Sequence, residues 1–229
     1  MTNLLNNMFF MYQPKFHNDE IFGYEALLRT HENNNSVLPI KLLNENKGNV
    51  SFDYFIINSV IDDLVKLPTS KINNLLISIN VSASLFSMPI DFSLINFELI
   101  NKFELKLDFE ILESDAIVDY AICNKNIKYL NSVGITVSMD DFGKGYSSIR
   151  RLINIKNINF IKIDKILIDD LIKDKSIVDK LRLLFDFINK LNVKIIAEGV
   201  EDKKTLKTLQ GLGVKYFQGF YFSKPHVIS

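Results

Sequence analysis

A single cysteine, Cys123, stands in 229 residues, so no intramolecular disulfide can form, and its helix-like setting DYAICNKNIKYL suits a reducing interior. The three histidines, His17, His31 and His226, are scattered without ligand spacing, which argues against an imidazole-held or thiolate-held zinc. Neither sign of charge is in excess, Lys plus Arg and Asp plus Glu numbering 27 each. Such a balance offers no basic field to a polymeric nucleic acid or an anionic membrane. Also missing is any apolar run long enough to span a bilayer, and the opening MTNLLNNMFFMYQP has neither a basic leader nor a cleavage pattern. The expectation is a cytoplasmic protein without a membrane segment. Gly143-Lys144-Gly145 lacks the spacing and the following Ser/Thr of a phosphate-binding P-loop. Asp141-Phe142-Gly143 has no glycine-rich ATP loop or HRD segment beside it, so a kinase site is not supported.

What is present is a core-building apolar fraction of 47% and a repeated strand ending. LLISIN ends at Asn80, LKLDFE at Glu110, ITVSMD at Asp140, NFIKID at Asp164 and VKIIAE at Glu198. The intervals suit one strand, loop and helix each, which reads as a βα repeat delivering a polar group at the C-terminal end of every strand. Residues two apart share a face, and Ser78, Asp108, Ser138 and Lys162 precede four of those endings by two. An open sheet covered by helices needs apolar residues on both faces, whereas the mouth of a barrel accepts polar ones. The fold class is therefore α/β, a closed (β/α)₈ barrel, and the length suits one such domain over 1–229 with no separate sensor or membrane domain.

Along the chain, MFFMYQP and EIFGYEALL read as the first two strands and HENNNS as a surface loop. Apolar Phe52, Phe55, Ile56, Val60 and Leu64 predict a helix from Phe52 to Leu67, stopped by Pro68, with Asp62, Asp63 and Lys66 towards water. The stretch from Leu85 to Lys102 carries no clear signal. A helix is expected from Asp115 to Ser132, with Gly134 past its end. Ser176 and Asp179 resemble a capping box opening the next, a shorter helix runs from Asp202 towards Gly211, and VKYFQGFYF forms the last strand.

Carboxylates gathered at one rim repel each other and raise one another's pKa unless cations neutralise them. All-oxygen ligands point to Mg²⁺ or Mn²⁺, and the adjacent Asp140 and Asp141 could reach two ions. Metal-assisted phosphodiester hydrolysis is the inference, with its substrate open among phosphodiesters and phosphorylated metabolites. Taken singly, each of these residues has a plainer reading. A lone acidic strand end is ordinarily a solvated terminus or a helix cap, Lys162 a snorkelling side chain and Arg29 a rim charge. The 18 phenylalanines are core filling rather than a base-stacking platform.

Seven ordered segments then carry a resemblance: GYEALLR, NVS, FEILES, DDFGKGYSS, KID, AEGVE and QGFYFSKP. Together they span almost the whole chain, which is similar to the EAL domain family of cyclic di-GMP phosphodiesterases. The resemblance implies a modified TIM barrel with an atypically directed first strand. It implies Mg²⁺- or Mn²⁺-dependent hydrolysis of cyclic di-GMP to linear pGpG, lowering the level of that second messenger. By position, Glu25, Asn80, Glu110 and Asp140 match the ligands of one metal, and Asp140, Asp141 and Glu198 those of a second. When only one ion is considered Glu198 also matches a general base, and Lys162 matches a residue stabilising the attacking hydroxide or the phosphate charge, so Lys162, Glu198 and Asp141 form the catalytic set. Gln13, Leu28, Arg29, Asp164, Glu201 and Gln218 are assigned to the substrate pocket, and Glu113 to ordering the loop after Asp141. A homodimer through the barrel and effects on biofilm or motility are family expectations.

Lys144 stands where the family has a small hydroxyl residue, Leu112 where Thr is common and Thr30 where an aromatic is frequent. None replaces a metal ligand. Lys144 is the one support for the alternative, a catalytically weak cyclic di-GMP receptor or protein-binding regulator.

Overall fold

Asn18 and Asp19 both adopt left-handed backbone, φ 49° and 69°, as a two-residue hairpin turn matching the twist of its strands requires. That turn joins β1 (Met8–His17) to β2 (Glu20–Glu32) as an antiparallel pair. The computed structural model describes residues 7–32, 35–113, 116–143, 148–173 and 175–228. From β2 onward every neighbour in the barrel is parallel: β4 (Leu76–Val81), β5 (Lys106–Ile111), β6 (Thr136–Phe142), β7 (Phe160–Ile163), β8 (Lys194–Ala197) and β9 (Tyr216–Phe217). β9 then meets β1 antiparallel, and this closes the eight-stranded barrel with β1 running against the rest. The barrel is as the strand pattern predicts, and its reversed first strand is as the resemblance implies.

Strand alternation sorts the side chains. Ile77, Ile79, Phe109, Val137, Ile161 and Ile163 are fully or almost fully buried between sheet and helices. Each such side chain contributes about 1.5–3 kcal/mol by leaving water. The alternate positions, Ser78, Asp108, Glu110, Ser138 and Lys162, are polar and equally buried, so they fill the barrel.

The outer layer is made by α1 (Ile40–Glu45), α2 (Val50–Leu64), α3 (Thr69–Ile72), α4 (Ala83–Phe86), α5 (Phe97–Lys102), α6 (Tyr120–Ser132), α7 (Ser148–Asn154), α8 (Lys165–Lys173), α9 (Lys175–Lys190) and α10 (Lys203–Gly211). α2 buries Ile56, Ile57, Val60, Ile61 and Leu64, which leaves the expected core residue Phe55 40% exposed. Asp63, expected to face water, instead accepts the Tyr12 hydroxyl at 2.6 Å. α6 starts only after Asp119, whose carboxylate accepts the amides of Ala121 and Ile122. At its end Gly134, φ 85°, donates to the Asn131 carbonyl and Ile135 to that of Leu130, a Schellman closure.

Other expectations are revised. Part of HENNNS is strand, β3 (Asn35–Val37) pairing with the end of β2, with residues 33 and 34 outside the described set. The unclear stretch from Leu85 holds α4, a 3₁₀ turn at Phe92–Leu94 and α5. Ser176 lies within α9, which opens at Lys175, so it is not that helix's N-cap. The last strand shrinks to Tyr216–Phe217, because the chain turns at Gly219, where a Cβ would sit 2.2 Å from the Val200 carbonyl oxygen. No helix among the described residues is long and apolar enough to cross a membrane.

Gly23 is the tightest point of the β2–β4 contact, since a Cβ there would lie 2.2 Å from the carbonyl oxygen of its register partner Leu76. Gly23→Ala should therefore cost about 1–3 kcal/mol or more, through forced separation of the two strands. A denaturation midpoint equal to that of the unsubstituted protein would contradict this account of the seam.

Candidate functional site

Parallel strands with a common inward face bring their C-terminal ends to one rim, and the polar strand endings meet there. At the centre stands the Lys162 ammonium from β7. It lies 2.8 Å from Glu110 Oε2, 2.9 Å from Glu198 Oε1, 3.0 Å from Asp140 Oδ1 and 3.3 Å from Glu25 Oε2. Asn80 donates to Glu25 Oε1 at 2.7 Å, and Gln218 donates to Glu25 Oε2 at 2.7 Å and to Gln13 Oε1 at 3.2 Å. Side-chain exposure grades from 0% at Glu110 through 8% at Glu25 to 11% at Asp140 and 18% at Glu198, so the site opens to solvent on the Asp140–Glu198 side.

The backbone explains how two consecutive aspartates both reach this rim. Asp141 is left-handed, φ 51°, and the β6–β7 register shifts between Met139 and Phe142. That irregularity breaks the strand alternation, and carboxylate oxygens of Asp140, Asp141 and Glu198 all come within 4.8 Å of one another. Its backbone cost of roughly 1–3 kcal/mol is of the kind found at functional sites.

Like charges about 4 Å apart at an effective dielectric of about 20 repel by roughly 4 kcal/mol, so these carboxylates cannot all ionise freely. Asp140 is pushed up to about 7, by burial first, with Lys162 opposing and Glu110, Glu25 and Asp141 adding repulsion. Burial likewise raises Glu198, against the pull of Lys162. Glu110 behaves oppositely: burial favours its neutral form, but the Lys162 and Lys15 ammoniums overturn that and hold it down at about 2. Burial disfavours the charged Lys162, and Asp140, Glu110, Glu198 and Glu25 outweigh it, so its pKa is raised.

Below the rim lies a second polar layer. Asp108 accepts from Thr136 at 2.7 Å, from Ser138 at 2.7 and 2.8 Å and from Ser78 at 2.9 Å. Lys15, from β1, donates to Ser78 Oγ and to Glu110 Oε1, the latter at 3.1 Å, and has no exposed surface. Lys15 was not among the residues expected here. The signal was its position two after Gln13 in YQPKF, which puts both on the inward face, but β1 does not end in a carboxylate and so lacks the marker of the other strands.

The remaining expected residues divide. Gln218 joins the rim through Glu25 and Gln13 through Gln218, and Gln13 also donates to the Ser223 carbonyl at 3.3 Å. Leu28 and Arg29 line a neighbouring cavity of about 360 Å³ with Asn80, Leu112, Phe10, Leu43 and Phe52. The Arg29 guanidinium donates to the Leu28 carbonyl at 2.8 Å. Asp164 accepts the Ile166 amide at 2.7 Å at the start of α8. Glu201, half exposed, pairs with Lys165 at 2.7 Å. The Glu113 carbonyl is bound by buried Arg151, while residues 144–147, the loop Glu113 was expected to order, and with them Lys144, lie outside the described residues. Thr30 is buried between β1 and β3.

The EAL domain family model matches residues 2–225. The chain belongs to the EAL domain family. It is similar to the oxygen sensor protein DosP of Escherichia coli K12, 28% identical over 96% of this chain and 28% of that protein. It is also similar to the cyclic di-GMP phosphodiesterase PdeR of the same strain, 30% identical over 93% of this chain and 33% of PdeR. The chain thus spans about a third or less of the length of these curated relatives. A standalone versatile EAL protein from Vibrio cholerae O395, solved in its c-di-GMP-bound form, superposes with a TM-score of 0.79. That structure is 27% identical, with 96% of this chain and 93% of that one covered.

EAL domains depend on a divalent metal, and the residues present here fit one. Among the described residues Asn80 Oδ1 and Gln218 Oε1 are buried acceptors without a hydrogen-bond partner, and both belong to residues bound to Glu25. An orphaned carbonyl beside ionisable carboxylates is a donor set for a hard cation.

The Asp140 shift also sets a pH dependence. Its folded value, about 7, lies above its ordinary 3.8, so ionising it opposes folding. Stability is lost as pH rises from about 4, and the loss is complete above about 7; the Glu110 shift acts only at lower pH. In EDTA the melting temperature should fall between about pH 4 and pH 7, with a shallower slope in Asp140→Asn. An identical slope in that variant would count against the assignment.

Proposed function

We propose that this EAL domain is a cyclic di-GMP phosphodiesterase that hydrolyses 3′,5′-cyclic di-GMP to linear 5′-pGpG with Mg²⁺ or Mn²⁺, acting in the cytoplasm. The observation that carries the reading is the convergence of Glu25, Glu110, Asp140 and Glu198 on one point at the barrel mouth, with Asn80 and Asp141 beside them. The names of PdeR and of the Vibrio cholerae complex supply the substrate.

Glu25, Asn80, Glu110 and Asp140 would hold one ion, and Asp140, Asp141 and Glu198 a second. When bound, the metal supplies an acidified water and positive charge opposite the phosphoryl oxygens. The chain's own groups do the rest. With only the first ion in place, Glu198, the most solvent-open of the four carboxylates around Lys162 and shifted upward, takes the proton of the attacking water. Lys162 offers its N–H groups to the phosphoryl oxygen on which charge grows, a task for a compact ammonium that stays protonated. Gln218, itself bonded to Gln13, holds Glu25 Oε2 while Asn80 holds Oε1, so the two oxygens have set directions. Arg29, at the edge of the 360 Å³ cavity, supplies charge to a phosphate, and Phe10, Leu28, Leu43 and Phe52 give apolar walls for a purine. Asp164, just after β7, and Glu201, in the segment after β8, are assigned to substrate contacts in the same reading. A homodimer through the barrel belongs to the same reading.

Incubation with cyclic di-GMP and Mn²⁺, resolved by chromatography, should give pGpG, with EDTA or Glu25→Ala abolishing it. Lys162→Met should lower kcat by roughly 10²–10³-fold while leaving binding measurable. Cyclic di-GMP binding without turnover under any divalent ion would reject the enzyme and make the chain a receptor.

A further inference from the structure

Glu110 is gripped from two sides by two lysine ammoniums. Its Oε2 faces the rim and Lys162 at 2.8 Å. Its Oε1 faces the barrel interior and Lys15 at 3.1 Å. The two lysines differ in their freedom. Lys162 touches Glu25, Asp140 and Glu198 as well, so it can release Glu110 and keep a counter-charge. Lys15 is fully enclosed and touches Ser78 Oγ and the face of Phe22, 5.9 Å away, with the buried Asp108 carboxylate acting on it through its charge. Ser78 in turn donates to the buried Asp108 at 2.9 Å, which anchors the lower end of this arrangement.

β1 makes this possible because it runs against the other strands and carries Gln13 to the rim and Lys15 one layer below. Lys15 faces Gly23 in the register, and the strand is irregular just after it, between Lys15 and Phe16. A long side chain is thereby laid across the barrel from β1 to β4 and β5.

We propose that Lys15 is a positioning residue that restricts Glu110 to a single coordinating oxygen and so sets the cation preference of the site. The inference rests on the metal-dependent phosphodiesterase reading. Mg²⁺ and Mn²⁺ centres favour octahedral coordination by single oxygens, whereas Ca²⁺ takes more oxygens and accepts bidentate carboxylates. With Oε1 bound to Lys15, Glu110 offers Oε2 alone, which suits the smaller ions. Without Lys15, both oxygens turn free and the site becomes more hospitable to Ca²⁺. A purely structural role, neutralising Glu110 for folding, would instead weaken all cations alike.

The test is calorimetric titration of the whole chain with MgCl₂, MnCl₂ and CaCl₂, read as the ratio of Ca²⁺ to Mg²⁺ association constants. Lys15→Met should move that ratio about tenfold towards Ca²⁺, a size typical of groups that orient metal ligands. Lys15→Gln, which keeps an N–H donor for Oε1, should stay within about threefold of the unsubstituted chain. Where Lys15→Met does not fold, Lys15→Met with Asp108→Asn removes the second buried carboxylate near the vacated side chain and reads the same ratio. Val137→Ala, on the outer face of β6, controls for lost stability and should leave the ratio unchanged. An unchanged ratio in the Lys15→Met variants, with cations still bound by the unsubstituted chain, overturns the role of Lys15 alone. An unsubstituted chain that binds none of the three ions overturns this role and the phosphodiesterase reading together.

Discussion

Everything at the barrel mouth depends on the attraction between the Lys162 ammonium and four carboxylates that would otherwise repel one another out of the site. Burial raises the cost of each charge, so the arrangement holds only because the partners lie at 2.8–3.3 Å and the far oxygens of Glu25 and Glu110 are held by Asn80 and Lys15. Even so the negative charge is not fully balanced, and Asp140 and Glu198 shift upward. A site poised in this way gains free energy when a divalent cation enters and its carboxylates give up protons. The electrostatic tension that limits the stability of the metal-free chain is thus the same quantity that drives cation binding.

The barrel supplies the geometry for this tension. Parallel strands deliver their ends to one rim, and the antiparallel β1 adds groups at other heights, Gln13 beside Glu25 and Lys15 below Glu110. The left-handed Asp141 adds a second carboxylate from β6 at a position that strict alternation would have turned outward. Buried Asp53 on α2 holds the start of α4, just past Asn80, accepting the Ser82 amide at 3.0 Å and its hydroxyl at 2.5 Å. The rim is therefore fixed from both the barrel interior and the helical layer.

Much of this was legible because a parallel barrel imposes two simple rules, apolar outward and polar inward, on strands of similar length. Asn80, Glu110, Asp140 and Glu198 were visible as strand endings, and Ser78, Asp108 and Ser138 as their same-face partners. Glu25 needed the resemblance, since it lies mid-strand in the hairpin. Lys15 escaped because a buried lysine and an exposed one look alike in sequence, and only the three-dimensional neighbours tell them apart. The end of the last strand and the exposure of Phe55 were set by packing, at Gly219 against Val200 and along the Ile56–Leu64 stripe of α2. The pairing of Glu201 with Lys165 depends on the path of the chain after β8 and has no signal in the strand pattern.

The central claim is that the carboxylates around Lys162 are a divalent-cation site. Anomalous diffraction from crystals grown with Mn²⁺ and cyclic di-GMP tests it most directly. The account predicts manganese peaks at about 2.0–2.2 Å from oxygens of Glu25, Asn80, Glu110 and Asp140, with the Lys162 ammonium displaced towards the phosphate. Crystals that bind the nucleotide yet show no manganese there, with Lys162 still among its four carboxylates, would contradict it.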